Sequence, residues 1–242
     1  MTKKMTSVVA AACALLATGA FGVQYSRSAL FPGFDGKWCK IQPSVASDGK
    51  GTALMTYQML YLAGSDVFSG QFIAKSTDGG ETWGSPVKIP ESADVYERGL
   101  RVARYVNVHY SSANRRWFAT GNAAMYEGNR SPYHKYVDGK PYGYSVQADV
   151  DAESGTVMNY RLLPFPLQCQ GYWRFGQFVE CENGDLLMPF YFHPIGEDRR
   201  CQAVVVRYRF GKDGLEVVEA GAFVHNELGL AVVDIAVMLA HE

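Results

Sequence analysis

Charge of one sign is what this sequence lacks first. Its 23 Lys and Arg stand against 24 Asp and Glu, a formal net charge of -1. That balance excludes the basic footprint of a nucleic-acid-binding protein. There is no Cys-x-x-Cys pair, and the five His are scattered, so no metal-ligand spacing is present and neither a metal nor a cofactor is expected. A membrane-length apolar run is missing too. The longest candidate lies in the opening "MTKKMTSVVAAACALLATGAFG", where residues 8–20 follow the basic pair Lys3 and Lys4. It is roughly 5 to 7 residues short of the ~20 that a spanning helix needs. It reads instead as a signal peptide over residues 1–22, with cleavage near Ala20, and implies a secreted or periplasmic protein with no membrane span. A lipid anchor on Cys13 would call for a Leu three residues earlier, where Ala10 stands. With Cys13 in the leader, Cys39, Cys169, Cys181 and Cys201 remain. Four cysteines in an exported chain could form two bridges, and all three pairings stay open.

Strands and turns fill the rest. "TALMTYQMLY" (52–61), "RVARYVNVHY" (101–110), "RRWFATGNAAMY" (115–126), "RFGQFVEC" (174–181), "DLLMPFYFH" (185–193) and "CQAVVVRYRF" (201–210) are rich in β-branched and aromatic residues with partial alternation. Between them stand "SDGKG", "SSAN" and "ENGD", whose Asn, Asp and Gly tolerate positive φ. These turns recur about every 65 to 70 residues, each followed later in its unit by a second turn: "STDGGETW", "VDAESGTV" and "RFGKDGLE". The pattern gives three units of about four strands, 40–90, 99–164 and 173–224. Repeated four-stranded units point to an all-β propeller. A β-sandwich also has many short strands and is the alternative.

The octapeptide "STDGGETW", residues 76–83, favours the propeller. Asp78 is placed to accept hydrogen bonds from its own turn. Gly80 can adopt an angle that a Cβ forbids. Ser76 and Thr82 can tie the two strand ends together, and Trp83 is expected to bury its ring against neighbouring strands. The stretch matches S-x-D-x-G-x-T-W and so resembles the Asp box of the sialidase superfamily. "IQPSVASDGKGTALMTY", "LAGSDVFSG" and "QFIAKSTDGGETW" in succession resemble the first blade of a sialidase. "VECENGDLLMPFYF" is similar to a later blade, and "DAESGTV" and "KDGLEV" would be degenerate boxes. The likeness covers about residues 40–228.

That resemblance implies a six-bladed propeller, of which this chain holds about three blades, and removal of a terminal acidic sugar from a glycan or glycoconjugate. It implies an acid/base Asp on a first-blade loop, a Tyr nucleophile assisted by a Glu, and an arginine triad for the sugar carboxylate. This differs from the two-carboxylate scheme common among glycosidases. Asp66 in "AGSDVFSG" matches the acid/base position. The family's first triad arginine precedes a proline, but here Gln42 precedes Pro43. Arg98, Arg101 and Arg104 in "ERGLRVAR" are the candidate substitutes, and a spacing of three puts Arg101 and Arg104 on opposite sides of a strand. The insertion 125–145 carries five Tyr and suits carbohydrate binding, but the family's nucleophile comes from a later blade. The last stretch, 229–242, is apolar and Ala-rich, and reads as out-of-frame text or a capping helix. A non-catalytic module that binds carbohydrate or a partner, or a non-functional fragment, is the alternative function.

Overall fold

The computed structural model describes residues 36–62, 67–92, 95–128, 131–196, 201–221 and 224–225. The leader, Asp66 and the apolar tail lie outside them. The described residues form only strands and turns, in three antiparallel sheets. No described helix is long and apolar enough to cross a membrane.

Sheet 1 runs in chain order through β1 (Trp38–Ser47), β2 (Ala53–Tyr61), β3 (Val67–Ser76) and β4 (Val87–Lys88). Sheet 2 contains β5 (Val95–Glu97), β6 (Leu100–Ser111), β7 (Arg116–Glu127), β8 (Ser131–Pro132), β9 (Gly143–Asp151) and β10 (Thr156–Leu162). Its order is β10-β9-β7-β6-β5, with β8 on β7. Sheet 3 has β11 (Cys169–Arg174), β12 (Val179–Glu180), β13 (Leu186–Pro194), β14 (Gln202–Phe210), β15 (Leu215–Ala220) and β16 (Val224–His225). Its order is β11-β13-β14-β15, with β12 on β13 and β16 on β14. The three expected units are therefore three successive sheets. One expected strand is broken: in "RFGQFVEC" the chain leaves β11 at Arg174 and rejoins the sheet only at β12. Gly176 takes φ +65 there, which extended backbone does not allow.

Period-two burial explains the stacking. Val102, Val106 and Val108 are buried on one face of β6, and Leu186, Met188, Phe190 and Phe192 are buried at every second position along β13. These side chains, with Val204, Val206 and Tyr208 of β14, belong to one continuous core. Each large side chain fully buried in it contributes about 1.5–3 kcal/mol.

Polar clips fix how neighbouring sheets meet. Buried Gln71 of β3 brackets the peptide of Val106: its Oε1 accepts the Val106 N–H at 2.9 Å and its Nε2 donates to the Val106 carbonyl. Asn122 of β7 repeats the device on sheet 3, accepting from the Arg174 N–H and donating to the Arg174 carbonyl, each at 2.8 Å. The oxygen and the nitrogen of each amide are both hydrogen-bonded, which is what makes them tolerable in a core. The Arg174 side chain is 2% exposed, and burial pulls its pKa down to about 10.

The octapeptide closes on itself. Asp78 accepts from Ser76 Oγ at 2.6 Å, from the Thr82 N–H at 2.9 Å and from Thr82 Oγ1. The Gly80 N–H, at φ +101, donates to Ser76 Oγ at 2.9 Å. Trp83 differs from expectation. Its ring is half-buried and folds back on the turn, with Nε1 donating to the Gly80 carbonyl at 3.0 Å. The indole N–H needs an acceptor, and the nearest lies in the turn rather than in a strand.

Candidate functional site

A two-residue hairpin creates the site. Glu97 pairs with Leu100, so Arg98 and Gly99 form the loop between β5 and β6, at φ +53 and +74. Positive φ at both positions is the type I′ geometry whose twist suits a hairpin. It turns Glu97 back over β6. Arg98 is secured in this conformation by donating from Nη2 to the Pro141 carbonyl at 2.9 Å and to Met125 Sδ at 2.9 Å.

Within the same sheet, Arg104 pairs with Ala123, which pairs with Tyr144. Arg104 and Tyr144 therefore share one face, two strands apart, and only a methyl group stands between them. Both reach Glu97. Arg104 Nη2 lies 2.7 Å from Glu97 Oε1, and the Tyr144 hydroxyl donates to the same carboxylate at 2.6 Å. The Arg104 guanidinium also lies 5.6 Å from the Tyr160 ring centroid. Beside it, Arg161 and Asp149 form a two-bond pair at 2.6 and 2.9 Å.

Around this array lies an open pocket of about 360 Å³. Its walls come from Glu97, Arg98, Arg104, Met125, Lys140, Pro141, Tyr144, Val146, Tyr160, Arg161 and Leu162. Arg98 and Lys140 are exposed at its edge. Burial first, and then the hydrogen bond to Glu97, push the Tyr144 phenol well above its usual pKa of 10. Burial alone would lower Arg104, but Glu97 and Tyr144 more than offset this and hold the guanidinium above its usual value. Burial likewise raises Tyr160, whose hydroxyl has no hydrogen-bond partner among the described residues. At neutral pH the array is a phenol, a carboxylate and a guanidinium, with two further cations beside it. Such a set suits a small, hydroxylated, anionic ligand, and the volume suits one sugar ring.

Of the residues singled out in the sequence, Arg98 and Arg104 meet in this pocket. Arg101 stands apart: its Nη1 donates to the Phe68 carbonyl at 3.1 Å and its guanidinium lies 4.3 Å from the Tyr126 ring centroid. Asp66 lies outside the described residues. Gln42 is exposed at a bulge in β1, at φ +51. Sequence reasoning missed Glu97, Lys140, Tyr160 and Arg161, and left Tyr144 undistinguished among five tyrosines. Glu97 had one local signal, its place before an Arg-Gly turn. Nothing local linked it to Tyr144, 47 residues away. Among the described residues no three His, Cys, Asp or Glu side chains are grouped to hold a metal ion. Cys39, Cys169, Cys181 and Cys201 are all free thiols, so neither bridge that the sequence allowed is formed.

No protein-family profile matches the sequence, and no curated protein matches it. Among solved structures the chain is similar to "Hadza microbial sialidase Hz136", with a TM-score of 0.54 at 15% identity. The match covers 76% of this chain and 38% of that one, so the chain spans well under half the length of that sialidase. The likeness shows the fold, a sialidase-like β-propeller.

Proposed function

We propose that the chain recognises a terminal acidic sugar of a glycan or glycoconjugate in the pocket beside Glu97, as part of a sialidase-like glycoside hydrolase. The observation that carries this is the Glu97–Arg104–Tyr144 array with Arg98 and Lys140 at its edge, set on a sialidase-like fold. In this reading Arg98 and Lys140 meet the sugar carboxylate. Arg104 keeps Glu97 oriented, and Glu97 bonds a sugar hydroxyl while the Tyr160 ring forms part of the wall. Asp66 is the acid/base. Arg101 braces the Phe68 carbonyl near the start of β3. Residues 1–22 direct the protein to a secreted or periplasmic location.

Gln42 favours a second reading, binding without turnover. The resemblance implies an arginine at that position, and a neutral amide cannot offer the two-bond fork that a carboxylate needs. An aryl sialoside that releases a fluorescent phenol separates the two readings. Hydrolysis by the wild type that is abolished in Asp66→Asn supports the hydrolase. Saturable binding without release supports the binding module. Neither binding nor release removes both.

A further inference from the structure

A second cluster lies between β9 and sheet 3. The imidazole of His193, near the end of β13, stands with Nε2 2.7 Å from the Sγ of Cys201. Its Nδ1 meets the hydroxyl of buried Tyr142, just before β9. Trp173 packs edge-on to His193 at 5.4 Å and lies 5.6 Å from Tyr142. His134 closes the far side of Tyr142, edge-on at 5.5 Å.

The geometry points to Cys201 as a modification site, a thiol that exchanges with small disulfides using His193 as its base and Tyr142 as the group that orients His193. A nucleophile, a base within hydrogen-bond reach and a third group that fixes the base are the parts such chemistry needs. With Nδ1–H donating to the Tyr142 oxygen, Nε2 presents its lone pair to the thiol. Burial pushes the Cys201 thiol up, and burial, with a smaller contribution from His134, lowers His193. The resting pair is therefore a thiol beside a neutral imidazole, and the proton leaves as the sulfur attacks. In the step, Cys201 Sγ bonds to one sulfur of the disulfide while its proton passes to Nε2. The old S–S bond breaks, and the departing thiolate takes that proton to leave as a free thiol. The protein keeps a mixed disulfide.

The other thiols lack this equipment. Cys169 is buried, and burial pushes its thiol up to about 11. Cys39 and Cys181 are half-buried, and among the described residues neither has a hydrogen bond to an imidazole.

The test treats the folded full chain with 5,5′-dithiobis(2-nitrobenzoate) and maps the modified peptides by mass spectrometry over time. Cys201 is expected to react first. His193→Gln should slow it at least about tenfold, a threshold set below the ~10²-fold at which the contribution of a positioned base usually begins. Tyr142→Phe should slow it less, and Cys201→Ser should remove the fast phase. A fast phase mapping to Cys39 or Cys181, or a Cys201 rate unchanged in a folded His193→Gln protein, would overturn the proposal. The order of reaction in the wild type needs no variant, so misfolding of a mutant leaves that arm intact.

Discussion

Two carboxylates organise two different parts of this molecule. Asp78 holds an exposed turn, and all its partners come from within four residues, Ser76 and Thr82. Glu97 holds a half-buried pocket, and its partners come from Arg104 on one strand and Tyr144 on another, 47 residues away. The first network is closed and has nothing left to offer a ligand. The second draws a guanidinium and a phenol to one anion, with Arg98 and Lys140 exposed at its rim. A local network fixes a turn, while a long-range one lines a pocket.

Removing the centre of each network breaks the comparison most directly. Glu97→Ala should have the larger effect, about 3 kcal/mol by chemical denaturation, because hydrogen bonds to charged groups are worth about 1.5–3 kcal/mol each and both Arg104 and Tyr144 lose their partner. A loss no greater than that of Asp78→Ala would mean that the pocket array is not cooperative. Tyr144→Phe removes one hydrogen bond to a charged group and keeps the ring, so a loss of about 1.5 kcal/mol is expected. The phenol's pKa is raised in the fold, so its contribution is complete below pH 10 and fades as the pH rises through the folded value. The variant should accordingly show a shallower fall in stability above pH 10 than the wild type.

Asp78→Ala sharpens the other side and should be the mildest of the three. Its hydrogen bonds to Ser76 and Thr82 hold the carboxyl well below its usual value of 3.8. That contribution is full above the usual value and is lost as the pH falls below it toward the folded pKa. The gap between wild type and variant should close in that acid range. A gap that persists into strong acid would show that the carboxylate charge is not what the turn uses.

The same contrast explains what could be read in the sequence. The octapeptide was legible because its bonds close within eight residues. The three sheets were legible because strand alternation and turn residues repeat. Trp83 was misjudged: the sequence marks a large ring but not that Gly80 offers its indole the nearest acceptor. The Arg98–Gly99 hairpin was half legible, since Gly99 signals positive φ and Arg98 does not. Arg104 and Tyr144 meet only because Ala123 sits between them in the register, and register is a property of the paired strands.

The measurement closest to the central claim is calorimetric binding of sialyllactose and of lactose to the wild type and to Arg98→Ala/Lys140→Ala. Lys140 is exposed and Arg98 gives up its bond to the Pro141 carbonyl, so the double variant should lose about 1 kcal/mol of stability and stay folded. The account predicts that sialyllactose binds, that lactose does not, and that the double variant weakens sialyllactose at least about tenfold, with added salt weakening the wild type in the same direction. Equal binding of the two sugars, or sialyllactose binding untouched by the double variant, would contradict it.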